Sequence, residues 1–380
     1  MNICIISPSY PYKDNMTYVF VKKLVDEWAK MGHRCVVLTP FSLVSFVRRI
    51  KRYVPYHYTD IVCPETPVEV YNPRYISLPK IHICGAELNE VVISRMFLRT
   101  LKRIGFQPDI IYGHFFRSAI PGWYLAQKTG ASLFVACGES TVDTLYPPSR
   151  GFTWERFRND IRGCVCVSSK NRDEAIQKGL VTAEQCTVIP NGTNLEVFRK
   201  MDRSECRRKL GFGEEDFIVT CVGGLIERKG QNRILEAVRR LANPRIKMVF
   251  IGKGDLTLEH ESILFKGMVN NGDIPVYLNA SNVFCLPTLA EGCCNAVVEA
   301  MACGVPIVSS DLPFNYDVLD DRNALLVDPL DIDAIAAAIK RLFEDSALCE
   351  SFSAISLERT RGLSIGQRAR SVLVFMESRL

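Results

Sequence analysis

Short apolar runs and amphipathic segments alternate along nearly the whole chain. Ile3–Ile6, Cys35–Leu38, Ile110–Tyr112, Leu133–Ala136 and Val165–Val167 have the length and composition of buried strands. Between them, Val19–Met31, Glu90–Ile104 and Ala119–Lys128 carry apolar residues at helical spacing, and Gly32 follows the first as a C-terminal cap would. The turn residues Ile189-Pro190-Asn191-Gly192 and a charged stretch, Arg199–Lys209, break the rhythm, which then restarts. Phe217–Val222, Lys247–Ile251, Val283–Leu286 and Val305–Val308 read as strands, and Asn232–Leu241, Asp331–Phe343 and Ser364–Leu380 as helices. Strand and helix alternating in this way predict two α/β domains, each built on a parallel sheet and joined near residues 190–210. The length, 380 residues, agrees, since one hydrophobic core rarely grows so large.

Open parallel sheets bind ligands beyond the carboxyl ends of their strands. The loops to inspect are therefore Ser7–Asn15, Gly113–Arg117, Cys137–Thr141, Gly223–Gly230, Gly252–Asp255 and Pro287–Asn295. Two such sheets facing each other would line a cleft. VGGLIERKG (222–230) joins a strand to a helix and sets Arg228 and Lys229 beside three glycines, a composition that suits a diphosphate. It is neither a Walker A loop nor GxGxxG, and a solvated Arg-Lys pair reads the same way. IGKGDL (251–256) reads as a plain turn between strand and helix.

In EGCCNAVVEAMACGVP (291–306), Asn295 is the expected N-cap of a helix running to Gly304. That leaves Glu291 in the loop, Glu299 in the first turns, and unpaired N–H groups near 295–297. Glutamates so spaced are also common on solvated helices. His114 and Glu139 each follow a strand, where a crevice would lie, and each also reads as a structural residue. Phe41–Tyr58 is expected to be helical up to Pro55, with Phe41, Val44, Val47, Ile50 and Val54 on one face. Arg48, Arg49, Lys51 and Arg52 would gather on another, as in a helix lying on anionic lipid or one packed on its own domain.

Composition narrows the classes. The apolar content of 47% and charged content of 23% are those of a globular protein. No basic n-region with a cleavage site opens the chain, and no apolar run reaches the length of a membrane span, so the expected location is cytoplasmic. The 15 cysteines include no CxxC; they read as small core residues in a reducing compartment, with no metal expected. Residues 1–197 hold 24 Lys and Arg against 17 Asp and Glu, whereas 198–380 hold 23 against 25. The first half alone therefore suggests an anionic partner, and no nucleic-acid module is discernible.

The ordered set of motifs resembles family 4 of the retaining glycosyltransferases. The family's glutamate pair with seven intervening residues is matched by Glu291 and Glu299. Its Asn-Gly turn is matched by IPNG (189–192) and its Lys-Gly loop by ERKG (227–230). KMVFIGKG, ILFKGMV, VYLNASNVFCLPTLAEG and NALLVDPLD follow the family's order, while SPSYPYKDN, KMGHRCVVLTP and DIIYGHFF match more loosely. The chain departs from the pattern where a Gly-Arg pair is usual: Gly223-Gly224 stands there, leaving Arg228 as the substitute. Cys294 stands where Gly or Pro is common, Asn194 where Asp often follows Asn-Gly, and Asn15-Met16 near a missing glycine pair. DLPFNYDV replaces an acidic GG-x-E stretch.

The resemblance implies a GT-B fold, α/β, with two Rossmann-like α/β/α domains whose parallel sheets face across a cleft. The N-terminal acceptor domain would comprise residues 1–197 with a returning helix at 364–380, and the donor domain residues 198–363. It implies a hexosyltransferase that moves a sugar from a nucleotide-sugar donor, a UDP-sugar ahead of a GDP-sugar, with retention. The acceptor would be a glycan or lipid-linked molecule of a surface polysaccharide or glycolipid pathway, met at the inner face of the membrane. Glu291 would hold donor sugar hydroxyls and Glu299 the ribose. Lys229 with Arg228 would stabilise the diphosphate, helped by the backbone of Gly292, Cys293, Cys294, Asn295, Ala296 and Val297. Gly223 and Gly224 would approach the donor, and Met268 and Val269 would lie near the base. His114 and Glu139 would line the acceptor side, and Asn15 would face the diphosphate. No cofactor or metal is implied. A second reading is a GT-B nucleotide-sugar-binding or regulatory subunit without transferase activity, and a third an epimerase or phosphorylase, against which the glutamate pair argues.

Overall fold

The computed structural model describes residues 1–13, 15, 17–48, 50, 52–62, 64–77, 82–83, 86–142 and 153–380, with the backbone alone given for 82–83 and 86–87. It divides into two compact units, Met1–Ile189 with Arg368–Leu380, and Pro190–Gln367. The expected joins at 197/198 and 363/364 thus lie at 189/190 and 367/368. Thr193 explains the shift: its N–H donates to the Leu363 carbonyl at 2.9 Å, and its carbonyl accepts from Ile365 at 2.9 Å. These bonds stitch both linker strands to the second unit.

The first unit is built on eight strands: β1 (Asn2–Ile6), β2 (Arg34–Leu38), β3 (His57–Asp60), β4 (Val68–Tyr71), β5 (Ile110–His114), β6 (Ser132–Cys137), β7 (Ile161–Cys166) and β8 (Cys186–Val188). Their order across the sheet is β8-β7-β6-β5-β1-β2-β4-β3, parallel except for the β3–β4 pair. Successive residues of a strand face opposite sides. Ile3 and Ile5 accordingly pack with Trp28, Tyr112 and Phe134, whereas Cys4 and Ile6 pack with Phe97, Ile111 and Phe116. The helix Ile365–Glu377 covers the first of these faces through Ala369, Val372, Leu373 and Met376. The Trp28 indole fixes it by donating to the Ala369 carbonyl at 3.0 Å.

The second unit holds six parallel strands: β9 (Phe217–Val222), β10 (Ile246–Ile251), β11 (Ile263–Gly267), β12 (Val283–Leu286), β13 (Ile307–Ser310) and β14 (Ala324–Val327). Their order is β11-β10-β9-β12-β13-β14, so the winding reverses between β9 and β12. In the first unit it reverses between β1 and β5. A reversal point opens a crevice at the carboxyl ends of the two strands flanking it.

One predicted element is overturned. Phe41–Tyr58 is not a helix up to Pro55: Phe41 and Ser42 pair with Arg74 and Tyr75, and a short helix covers only Leu43–Val47. Ser42 caps its start, accepting from the Ser45 N–H at 3.1 Å. Past Val47 the backbone takes other partners, the Val54 carbonyl accepting from Arg74 and the Pro55 carbonyl from Asn72 at 2.9 Å, while the side chains of Val47, Ile50 and Tyr53 are exposed at 78%, 73% and 66%. An amphipathic helix draws most of its stability from a packed face, and clustered like charges one turn apart weaken it further. Arg49 and Lys51 lie outside the described residues.

Candidate active site

The loops after β9 and β12 meet at the reversal point of the second unit. Beyond β9, Gly223 and Gly224 lead into a tight turn, Glu227–Lys229, closed by Gly230 with φ +83°. A Cβ on Gly230 would lie 2.6 Å from the Pro287 carbonyl oxygen, so glycine alone lets the two loops touch. They are also stitched by backbone, the Leu289 N–H donating to the Arg228 carbonyl at 2.9 Å, and by the buried Arg233, which donates to Pro287 at 2.8 Å. The Gly252 loop has more than a turn's role. Leu225 donates to the Lys253 carbonyl at 3.0 Å, and a Cβ on Gly252 would collide with the Gly223 carbonyl.

Glu291, Lys229 and Arg228 converge. Oε1 of Glu291 accepts from Lys229 Nζ at 2.6 Å, from the Arg228 guanidinium at 2.8 Å and from Thr288 Oγ1 at 2.9 Å. Arg228 also donates to the Ala290 carbonyl. Lys229, 13% exposed at its side chain, extends over Gly223, where a Cβ would sit 3.5 Å from its Cε. Burial works against the Lys229 charge, but the Cys294 sulfur and the Glu291 carboxylate beside it prevail and raise its pKa. Because burial also pushes the Cys294 thiol up, that thiol is neutral at physiological pH, and Glu291 is the anion that secures the ammonium. Lys229 offers three donors and Arg228 five, so both keep capacity for a ligand beyond Glu291.

The helix that follows β12 begins one residue earlier than expected. Cys294, not Asn295, is the N-cap, and the helix is Asn295–Ala302. The Cys294 carbonyl accepts from Val297 at 3.1 Å and Val298 at 3.3 Å, so the Val297 amide is already engaged. Asn191 selects this start by donating from Nδ2 to the Cys293 carbonyl at 2.9 Å, which fixes the loop ahead of the helix. Asn191 is a positioning residue that only its place in the Asn-Gly turn could have flagged. Glu299 is buried within the helix at 7% exposure, and Gly292 lies in the loop with the buried Cys293. Met268 and Val269 follow β11, Met268 being 69% exposed.

In the first unit, His114 ends β5 at the other reversal point. It is 3% exposed, and neither ring nitrogen has a hydrogen-bond partner among the described residues. Tyr112, Phe115 and Phe20 surround the ring. Burial, reinforced by Arg368, lowers its pKa to about 3, so the imidazole is neutral. Glu139 follows β6, its carbonyl accepting from Asn171 Nδ2 at 2.9 Å. Asn15 serves its own turn, its side-chain oxygen accepting from Thr17 Oγ1 at 2.8 Å; Met16 lies outside the described residues.

Comparison with known proteins gives this arrangement a family. Residues 19–197 match Glycosyltransferase Family 4 and residues 202–359 match Glycosyl transferases group 1. A Bacillus subtilis protein assigned to teichuronic acid biosynthesis as the glycosyltransferase TuaC is 27% identical over 335 residues, spanning 85% of this chain and 84% of its own. The UDP-Gal:alpha-D-GlcNAc-diphosphoundecaprenol alpha-1,3-galactosyltransferase of Escherichia coli is 29% identical over 202 residues, and the chain spans about half of that relative, 52%. Among solved structures, sucrose-phosphate synthase from Thermosynechococcus elongatus superposes with a TM-score of 0.76 at 19% identity, covering 99% of this chain and 98% of that one. Anabaena HepE in complex with UDP-glucose does so with a TM-score of 0.71 at 17% identity, covering 100% of both chains. The two family matches follow one another along the chain and fall on its two Rossmann-like units. The protein has the GT-B fold and belongs to the group 1 glycosyltransferases of family 4.

Proposed function

We propose that the protein is a retaining hexosyltransferase that uses a nucleotide-sugar donor, a UDP-sugar ahead of a GDP-sugar. The observation that carries this reading is the convergence of Lys229, Arg228 and Glu291 at a helix start beyond β9 and β12. In the transfer, the acceptor oxygen bonds the anomeric carbon and gives up its proton to the departing phosphate oxygen. The bond from that carbon to the donor phosphate breaks, and the nucleoside diphosphate leaves with its electrons. Negative charge grows on the leaving oxygen, where fixed cations and first-turn amides act most strongly. Lys229, Arg228 and the amides of Asn295 and Ala296 take that role, with Gly223 and Gly224 admitting the diphosphate. No divalent metal is called for, so adding or withholding Mg2+ should leave turnover unchanged.

Glu291 holds donor sugar hydroxyls and Glu299 the ribose, with Met268 and Val269 near the base. The neutral His114, one nitrogen a donor and the other an acceptor, suits a sugar hydroxyl on the acceptor side, with Glu139 and Asn15 near it in role. Glu299→Ala should weaken UDP binding about tenfold or more, the worth of a charged hydrogen bond, with turnover at saturation less affected. Glu291→Ala should do the reverse. Isothermal titration with UDP beside steady-state rates separates the two, and wild-type values in both variants would sink the assignment.

Relatives named for teichuronic acid and for a diphosphoundecaprenol substrate support a glycan or lipid-linked acceptor in a surface polysaccharide or glycolipid pathway. The exposed Val47, Ile50 and Tyr53 beside Arg48 and Arg52 support contact with an anionic membrane face. The protein should therefore sediment with vesicles containing phosphatidylglycerol at low salt and be released at high salt. Failure to sediment would remove the membrane from the proposal. A thermal-shift panel of UDP- and GDP-sugars, then turnover with lipid-linked acceptors and the anomer of the product, tests the function itself. Donor binding without turnover, indifferent to Lys229→Ala, would point instead to a binding subunit.

A further inference from the structure

Among the described cysteines, four are brought together by the first sheet. Cys137 ends β6, Cys164 and Cys166 lie two apart on β7, and Cys186 opens β8. In the parallel register Cys137 lies opposite Cys166, and Cys164 opposite Cys186. In-register neighbours on adjacent strands, and residues two apart on one strand, project to the same face. All four thiols therefore share one side of the sheet, across three adjacent strands at its edge. The sulfurs of Cys164, Cys166 and Cys186 lie within 4.8 Å of one another, and those of Cys164 and Cys166 are 3.8 Å apart. Among the described residues no other trio of His, Cys, Asp or Glu brings its ligand atoms together so.

That spacing has a chemical meaning. A tetrahedral thiolate site with metal–sulfur bonds of about 2.3 Å sets its sulfurs about 3.8 Å apart. Thiolates select soft cations over Mg2+ or Ca2+. Cys137, Cys164 and Cys166 are fully buried, and Cys186, half-buried, gives the group an opening to solvent.

We propose that Cys164, Cys166 and Cys186, with Cys137 as the fourth ligand, bind one thiophilic d10 cation, Zn2+ or Cu+. Each thiol that coordinates releases its proton to solvent, and no electron is transferred. The four cysteines belong to the first unit and are none of the residues assigned to the reaction, so the role proposed for the site is to hold structure. β8 is a three-residue edge strand, and the chain leaves the first unit directly after it, at Ile189. A cation bridging β6, β7 and β8 clips that edge in place.

The test uses the full chain, purified without oxygen, with its metal content read by mass spectrometry. The metal-free protein is then titrated with Co2+, as a reporter for Zn2+, and separately with Cu+ against a competing chelator. One equivalent of either cation, with sulfur-to-cobalt charge-transfer bands for Co2+ and a raised melting temperature, is the expected result. The arm that saturates at the lower free concentration identifies the ion. Cys164→Ser with Cys166→Ser should abolish uptake while far-UV circular dichroism and gel filtration stay as in the wild type. Should that variant not fold, the wild-type titration still decides. A folded, fully reduced wild type that takes up neither ion overturns the proposal. A Cys137–Cys166 or Cys164–Cys186 disulfide in the oxygen-free preparation also overturns it, in favour of a redox pair.

Discussion

Lys229→Ala should lower kcat by about 10²–10³-fold while leaving the fold intact. Lys229 is nearly buried against Glu291 and lies over the backbone of Gly223, where little water competes for its charge. A cation in that setting contributes far more to a developing anion than one in solvent. Its pKa is displaced upward, so it stays protonated throughout the neutral and mildly alkaline range, and no loss of rate there should trace to it. The loop survives the substitution because Glu291 keeps Arg228 and Thr288 as partners, and because Leu289 remains bonded to the Arg228 carbonyl. The melting temperature should therefore change little. Arg228→Ala should cost less, since its side chain is 35% exposed and one of its bonds goes to the Ala290 carbonyl. Steady-state rates with saturating donor, read beside a UDP titration, check both. A Lys229→Ala enzyme within fivefold of wild type in kcat would remove the residue from the leaving-group role.

The elements legible in the sequence were those whose pattern reflects burial. Phe217–Val222 and Val283–Leu286 are buried along their full length, and continuous apolar runs mark them without ambiguity. β3 could not be read. HYTD has no apolar run and is a strand because Tyr58 pairs with Val70 and Thr59 with Glu69. β8 was equally silent, three residues held by pairing with β7. The overlong helix at Phe41–Tyr58 shows the converse: helical spacing in a stretch whose two ends pair instead with Asn72, Arg74 and Tyr75. At the site, the glycines, cations and glutamates were legible as separate motifs, but their meeting depends on β9 lying beside β12, which no local pattern encodes. The N-cap at Cys294 has the same cause. Asn295 is the better capping residue by side chain, yet the bond from Asn191 to Cys293 sets where the backbone turns. The cysteines, taken one at a time, read as core residues, and only the sheet register gathers four of them.

Arg207→Ala should destabilise the second unit by about 3–5 kcal/mol. In the sequence Arg207 sits in RSECRRKL and falls within the charged stretch Arg199–Lys209. In the structure it is 3% exposed. Its guanidinium donates to the carbonyls of Ala280 at 3.0 Å, Gly213 at 3.2 Å and Asp216 at 2.8 Å, to Asn282 Oδ1 at 2.7 Å, and to the Glu214 carbonyl. Asn282 Oδ1 accepts in turn from the Ile218 N–H at 2.8 Å, so one planar fork ties the Arg203–Leu210 helix, the loop before β9 and the loop before β12. Burial, aided by the charge of Arg203, draws the Arg207 pKa below its usual value, but a guanidinium remains charged at any physiological pH. Truncation strips these acceptors of their donor and leaves them facing a void. Arg207→Lys keeps the charge but cannot span the acceptors, and should recover less than half of the loss. Urea unfolding of the full chain, followed by Tyr and Trp fluorescence and circular dichroism, measures both variants. A shift for Arg207→Ala of less than about 1 kcal/mol, the worth of one ordinary hydrogen bond, would mean that water replaces the guanidinium and that the fork is no linchpin.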